Sequence, residues 1–573
     1  LHWVEVAALV GLLLDPLARL VLASNRLAML RFRWFEYALA VVLVAGAAIL
    51  YLGDVPGAEA WAFRAAQVAI VLCIATRLVE LHQFLAMLKV RPALLMVGSF
   101  LTLIVIGTGL LLLPAATAAG RPDTTFSDAL FTATSAVCVT GLVVVDTGTH
   151  WSRFGQYVIL ALIQLGGLGL MTYASVLALM LWRGLRVRET LVMREVFTAD
   201  VRAEIRRLTV FILLTTVAIE AAGAGLLFGL WDHTAAGGAV SWNDRILYSV
   251  FHSVAAFCNA GFSQYSDNLM SYRSTWQVNL VFPLLIISGG LGFAVLYNLA
   301  RSLKHNLIGR RKSPLVVRRW TLQAKLAVTT TAVLLVAGTG LALVFETFPA
   351  GADAWTPTAL ASADVTVDAV PQAPDASPPL GRTFAERASG AWFLATTART
   401  AGFNSTDTTR LSPPTKFLTV MLMFIGASPG STGGGIKTVT VAVILCGVLS
   451  ALRGRPRAQA FRRTLPAETV RRAMAILAVC VMWVAAVSMM IAAWGLAEGT
   501  RFTFIDVLFE TTSGFATVGL STGTTPLLNT VGRLLICLTM FVGRVGPLTL
   551  FVAMQVRTHR QTFDYATENV AIS

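Results

Sequence analysis

The sequence predicts an all-α polytopic membrane protein, with about three extra N-terminal helices followed by four span, loop, span repeats in fourfold pseudosymmetry around one pore. Three observations predict it. Of 573 residues, 56% are hydrophobic and 13% charged, against roughly 25% charged in an ordinary soluble protein. Apolar runs of about 20 residues, the length that crosses a bilayer, recur from end to end. A short half-polar segment centred on one glycine returns four times, at 131–142, 251–262, 392–403 and 509–520. The excess of 45 Lys and Arg over 30 Asp and Glu leaves a net charge of +15. Nucleic-acid binding would need a basic soluble domain, and none is visible. The six cysteines sit singly in apolar stretches, without the clustering of a zinc site or disulfide framework.

Residues 1–91 read as N-terminal transmembrane helices, three or two plus an interfacial segment, with spans near 3–23, 35–53 and 61–81. The apolar run through Ala23 lacks a basic n-region and a clear A-x-A cleavage site, so it reads as a span and not a signal peptide. The repeats then occupy 92–185, 206–305, 320–452 and 468–573, the last including a C-terminal tail. Between them lie three arginine-rich connections: one from Arg183 to Arg207, one from Arg301 to Lys325, and one from Arg453 to Arg472. The positive-inside rule puts all three in the cytoplasm. They set topology and touch anionic lipid, or they dock an acidic partner; the sequence leaves both open. Within the third repeat, residues 349–383 hold six prolines and only Arg382 as a basic residue, the composition of a flexible external loop.

The four short segments read FTATSAVCVTGL, FHSVAAFCNAGF, WFLATTARTAGF and FETTSGFATVGL. Each has an aromatic ten residues before its glycine (Phe131, Phe251, Trp392, Phe509), and Leu or Phe directly after it. Each glycine is followed 24 to 28 positions later by a second one: Gly166, Gly289, Gly426 and Gly543. Glycine is common in membrane helices for close packing, so any one match is worthless; the fourfold coincidence carries the signal. Irregular backbone at membrane depth is tolerated only where it is buried in protein or lines a watery cavity, so four such loops imply a shared axial cavity. Helices of about ten residues, entering from outside, point their negative dipole ends inward and favour a cation. Glycine supplies φ > 0 and leaves room for carbonyls to ring an ion and replace its water. The candidate ion-binding triplets are Val139, Thr140 and Gly141; Asn259, Ala260 and Gly261; Thr400, Ala401 and Gly402; Thr517, Val518 and Gly519. Dehydration by carbonyl oxygen suits potassium.

Below the triplets, GASPGSTGGGIKT (426–438) interrupts what should be one inner helix, because Pro429, Gly430, Gly433, Gly434 and Gly435 all disfavour helix. Such a loop would obstruct a pore. It comes near a phosphate-binding P-loop, but Lys437 does not directly follow the last glycine and no strand precedes it. Arg544 stands inside the last apolar run, as an electrostatic barrier beneath the triplets or in an ion pair with a residue such as Glu510. Arg399 is expected to brace the third loop. Asp128 and Asp506, each thirteen residues before their glycines, are expected to cap the short helices or to attract cations at the outer mouth.

The segments TSAVCVTGLVVVD (134–146), FCNAGFS (257–263), ARTAGFNS (398–405) and GFATVGLSTG (514–523), with GASPGSTGGGIKT and FVGRVGP (541–547), resemble the Trk/Ktr/HKT superfamily of potassium-translocating subunits over about residues 92–573. The resemblance implies potassium uptake across the cell membrane, a homodimer, and regulation by a cytosolic nucleotide-binding ring of the RCK type. It implies a gate made by the intramembrane loop, with Gly430, Gly433, Gly434, Gly435 and Lys437, and by Arg544. Family members with serine at the first-repeat glycine tend to pass sodium, so Gly141 favours potassium. Departure from TVGYG in all four triplets implies looser discrimination. The tail DYATENVAIS (564–573) is similar to the Ktr-type C-terminus, with Ala566 where proline is usual. No covalent cofactor is implied, only potassium in the filter. The rival transport class is an ion-coupled potassium or sodium symporter, which normally uses carboxylates near the midplane; the triplets contain none. An enzyme is not expected, since the seven histidines are scattered and no carboxylate dyad or nucleophile motif accompanies them.

Overall fold

The computed structural model describes residues 92–183, 200–233, 238, 240–308, 320–347, 379–381, 383–497 and 502–546. The expected N-terminal helices, most of the 349–383 loop and the C-terminal tail lie outside the described residues. What is described is mostly helical, and one element order recurs along it: long helix, short helix, inner helix.

The first group is α1 (Pro92–Leu111), α2 (Phe126–Val137) and α3 (Arg153–Arg183). The second is α4 (Asp200–Leu227), α5 (Trp242–Cys258) and an inner helix in two pieces, α6 (Phe282–Leu291) and α7 (Phe293–Ile308). The third is α8 (Leu322–Thr347), α9 (Phe384–Thr397) and again two inner pieces, α10 (Pro413–Phe424) and α11 (Thr438–Leu452). A hairpin of β1 (Gln459–Ala460) and β2 (Arg463–Thr464) leads to α12 (Ala467–Met490), α13 (Phe504–Ala516) and α14 (Thr530–Val545).

Four helices among the described residues are long and apolar enough to cross a membrane, and they are the first of each group: Leu94–Leu111, Thr209–Leu227, Leu322–Thr347 and Ala467–Gly495. Their outer faces expose Leu101, Leu214, Val336 and Met482, which is favourable only in lipid. The short helices are the reverse. Phe131, Phe251 and Phe509 are fully buried on them, at three of the four aromatic positions marked in the sequence. At 12, 17, 14 and 13 residues they exceed the ten expected, because each begins at a polar cap upstream of its aromatic.

Each inner helix packs on the short helix of the next group: α3 on α5, α6 on α9, α10 on α13, and α14 back on α2. The chain therefore closes on itself. In the third group, residues 425–437 separate α10 from α11, where the sequence places the interruption at 426–438. The second inner helix is broken too, which the sequence reading did not anticipate: α6 and α7 meet at 101°. The bend falls at Gly292, at φ +86°, where a Cβ would stand 2.9 Å from the carbonyl oxygens of both Pro429 and Gly430. The Phe293 amide donates to Gly430 O at 2.9 Å. The loop of one inner helix thus takes over a backbone hydrogen bond of another.

Candidate functional site

The site begins at the outer ends of the short helices. All four start on a hydroxyl residue with an acid three positions on: Thr125 and Asp128, Ser241 and Asp244, Thr383 and Glu386, Thr503 and Asp506. The Asp128, Asp244 and Glu386 amides each donate to the cap hydroxyl at 3.2 Å, and Thr503 donates its hydroxyl to the Asp506 carboxylate at 2.5 Å. Capping of this kind satisfies orphan N–H groups and suits the positive dipole end. Three of the acids also take a cation from the preceding inner helix: Asp244 from Arg153, Asp506 from Lys416 at 2.9 Å, and Asp128 from Arg533 at 2.7 Å. At the remaining junction Trp392 Nε1 donates to Asn279 O at 3.3 Å.

At the inner ends, the triplets share one backbone signature. The first residue of each has positive φ (Val139 57°, Asn259 61°, Thr400 71°, Thr517 52°), as does the glycine (Gly141 93°, Gly261 67°, Gly402 80°, Gly519 95°), while the residue between them does not. Val139, Thr400 and Thr517 are β-branched, for which this region is a genuine outlier, costing about 1–3 kcal/mol each. Hydrogen bonds hold it in place: the amides of Thr140, Ala260 and Val518 reach back to the carbonyls of Ser135, Ala255 and Ser513 at 2.7–2.8 Å, and that of Ala401 to Thr397 O at 2.9 Å. The Gly141 and Gly519 amides donate to Ser135 Oγ and Ser513 Oγ, both at 3.0 Å.

The four glycines meet in a closed cycle. A Cβ on Gly141 would run into Ala260 O, one on Gly261 into Ala401 O at 2.7 Å, one on Gly402 into Val518 O, and one on Gly519 into Thr140 O. Each loop's middle carbonyl fills the space left by its neighbour's missing side chain. Positive φ at the first and third residues of each triplet, and not at the second, gives all four loops one irregular backbone path. The second glycines have a matching role in three groups. A Cβ on Gly166, Gly289 or Gly543 would strike the carbonyl of Val137, Phe257 or Phe515 respectively, the residue four before each triplet glycine. Gly426 instead abuts Gly434 O, inside the loop that follows it.

That loop lies directly against the triplets. Gly434 N donates to Thr517 Oγ1 at 3.0 Å, and a Cβ on Gly433 would meet Thr400 Oγ1. Thr432 Oγ1 donates to Phe257 O at 3.2 Å, and Ser428 N to Gly290 O at 3.0 Å. Lys437 Nζ donates back to Gly433 O at 2.6 Å. Arg544, only 5% exposed, reaches across from α14: one terminal nitrogen donates to Thr432 O and the other to Gly166 O at 2.6 Å. Its partners are therefore two carbonyls, on the loop and on α3, and not Glu510. Arg399 donates to Thr331 O and Gly426 O, both at 3.3 Å.

The structure brings together all twelve triplet residues and places Gly430, Gly433, Gly434, Gly435, Lys437 and Arg544 around one loop beneath them. Sequence reasoning missed Ser135 and Ser513, Asn259 as a side-chain brace, the caps at Ser241 and Thr383, and the three inter-group ion pairs. The Asn259 amide nitrogen is positioned to donate to Phe257 O at 3.2 Å and Ile286 O at 3.3 Å, and its oxygen meets Thr400 Oγ1 at 3.1 Å. The Ser/Thr-x-x-Asp/Glu spacing was a readable signal for the caps; nothing in the sequence marks the ion pairs. Among the described residues no group of three His, Cys, Asp or Glu is placed to hold a metal.

Helices long and apolar enough to cross a membrane, packed around a closed cycle of glycines and backbone carbonyls, define a multi-pass membrane protein. The chain belongs to the TrkH family of cation transport proteins, whose family model matches residues 68–563. It is 36% identical over 475 residues to the Ktr system potassium uptake protein B of Bacillus subtilis, covering 83% of this chain and 95% of that one. It is 32% identical over 478 residues to the potassium/sodium uptake protein NtpJ of Enterococcus hirae, covering 83% and 96%. The crystal structure of the potassium transporter TrkH from Vibrio parahaemolyticus matches with a TM-score of 0.57 over 97% of each chain, at 15% identity, a likeness of fold.

Proposed function

We propose that this protein is a plasma-membrane potassium uptake pore, with four span, loop, span repeats in pseudosymmetry about a filter of the twelve triplet residues. The observation that carries the reading is the closed cycle of glycines and carbonyls with its shared φ pattern. No carboxylate enters the triplets, which favours passive selection by backbone oxygen over coupling through a titrating group. The loop with Gly430, Gly433, Gly434, Gly435 and Lys437 is the gate, and Arg544 is its latch. Resemblance to Ktr-type subunits supports a homodimer seated on a cytosolic nucleotide-binding ring. The likeness to a protein named for potassium and sodium uptake fits a filter whose four triplets differ, with potassium preferred and sodium incompletely excluded.

The test is rubidium uptake by the purified protein in liposomes, with sodium as competitor. Uptake that follows the electrochemical gradient of rubidium alone is expected. Uptake that requires an imposed proton or sodium gradient would establish the symporter instead, and no uptake at all would remove the pore reading.

A further inference from the structure

The connection between α11 and α12 has no part in the filter or its gate, yet it is ordered by its own core. Ala458, Ala460 and Leu465 are buried against Leu326 of α8, Val443 and Ile444 of α11 and Ala473 of α12. Leu465 N donates to Ala458 O at 2.8 Å beside the two-stranded pairing of Gln459 with Thr464 and Ala460 with Arg463. The turn at the hairpin tip is Phe461 and Arg462, at φ 48° and 61°. Two consecutive left-handed residues form the tight hairpin turn that Asn-Gly makes without strain. A bulky aromatic there is an outlier, and it gains no burial in return, since Phe461 is 48% exposed, with Lys325 Nζ 5.8 Å from its ring centre.

Around this tip, Arg453, Arg455, Arg457, Arg462, Arg463, Arg471 and Arg472 are all exposed. Over the same stretch the only acid is Glu468, which Arg472 takes one turn along α12. The second apolar member is Leu452, 80% exposed, the last residue of α11 and immediately before the arginines. The apolar helix α11 ends at Leu452 and α12, which is long and apolar enough to cross a membrane, begins at Ala467, so the fourteen residues from 453 to 466 join the ends of two apolar helices.

We propose that this hairpin is a binding site for anionic phospholipid headgroups of the inner leaflet, with Arg455, Arg457 and Arg462 on the phosphate and Phe461 and Leu452 in the acyl boundary. Exposed apolar side chains interleaved with arginines at the end of a membrane helix match the interface, where aromatic rings settle at headgroup depth and basic clusters hold acidic lipid. Arginine meets a phosphate with two parallel N–H donors, which a purely topological charge would not require. A soluble acidic surface would satisfy the arginines but leave Leu452 in water, so the lipid is favoured.

The full-length protein in neutral detergent is titrated with acyl-labelled phosphatidylglycerol and, separately, phosphatidylcholine. Phosphatidylglycerol is expected to bind more tightly, with an affinity that falls as salt is added. Joint Arg455→Gln, Arg457→Gln and Arg462→Gln should weaken it roughly a hundredfold, at roughly fivefold per charge, while lysine at the same positions, which keeps the charge but not the paired donors, should restore it only in part. Phe461→Asn, which suits the left-handed turn, should weaken both lipids several-fold without lowering the melting temperature. Unchanged phosphatidylglycerol affinity in the glutamine or the asparagine variant overturns the proposal. So does full competition by millimolar inorganic phosphate, which makes this a free-anion site, or a glutamine variant that keeps its lipid and instead loses a bound soluble subunit.

Discussion

Arg533 on α14 and Asp128 on α2 are 405 residues apart in the chain and joined by an ion pair of 2.7 Å. The same carboxylate caps α2 through Thr125, so one aspartate fixes both the start of a short helix and its attachment to the last inner helix. Lys416 with Asp506 and Arg153 with Asp244 repeat the relationship at the two flanking junctions. Exposure ranks them. Both side chains of the Lys416 pair are 13% exposed, those of the Arg533 pair 22% and 12%, and those of the Arg153 pair 45% and 23%. Removing the cation from either of the first two strands a largely buried carboxylate and should cost about 1–3 kcal/mol. Arg153→Met should cost only ~0–1 kcal/mol. Thermal unfolding in detergent of Lys416→Met, Arg533→Met and Arg153→Met tests the order, and equal losses at all three would show that burial does not set their weight.

Gly141→Ser places a side chain at φ +93° where the Ala260 carbonyl already stands. The ring must open on that side, and sodium permeation should rise relative to potassium. Paired rubidium and sodium fluxes in liposomes measure it. A ratio indistinguishable from the parent protein would take Gly141 out of the filter.

Arg544 links the intramembrane loop to α3 through Thr432 O and Gly166 O. Arg544→Ala frees two buried carbonyls and unties the loop, and deletion of 430–435 removes most of it; both should increase rubidium flux. Reduced or unaltered flux in variants that remain folded would falsify the gate.

Gly543→Ala should be at least as damaging as any of the inner-helix glycine changes, since its Cβ would strike Phe515 O and stand 2.7 Å from the Phe515 carbonyl carbon, against 2.8 Å at Gly166 and 3.0 Å at Gly289. Backbone cannot rotate away as a side chain can, so a loss of at least about 1–3 kcal/mol is expected. Gly169→Ala meets nothing within 4 Å and should be neutral or stabilising by up to about 1 kcal/mol. Melting curves of the pair separate packing at the short helix from a general helix-propensity effect.

The sequence made the triplets and the loop legible because both depend on backbone, and glycine and proline are where backbone demands surface in composition. Gly141, Gly261, Gly402 and Gly519 could be aligned before any fold was known. The neighbour relations were not legible, because they join residues hundreds of positions apart through side chains unremarkable in themselves: Lys416, Arg533, Asn259. The break at Gly292 was hidden for a related reason. Its cause is the Gly430 carbonyl of another segment, and SGGLGF by itself reads as one more glycine-rich membrane helix. Arg544 stands out in the sequence as a charge inside an apolar run, but its partners are carbonyls, which no sequence pattern advertises.

Among the described residues a loop of this kind occurs in one of the four groups, and it reaches Thr517, Phe257, Gly290 and, through Arg544, Gly166. A ring built from four identical chains could not carry such a part, because every copy would claim the same axial space. Joining the quarters in one polypeptide lifts that restriction. It lets a single loop serve the whole ring, with the bend at Gly292 shaped to receive it.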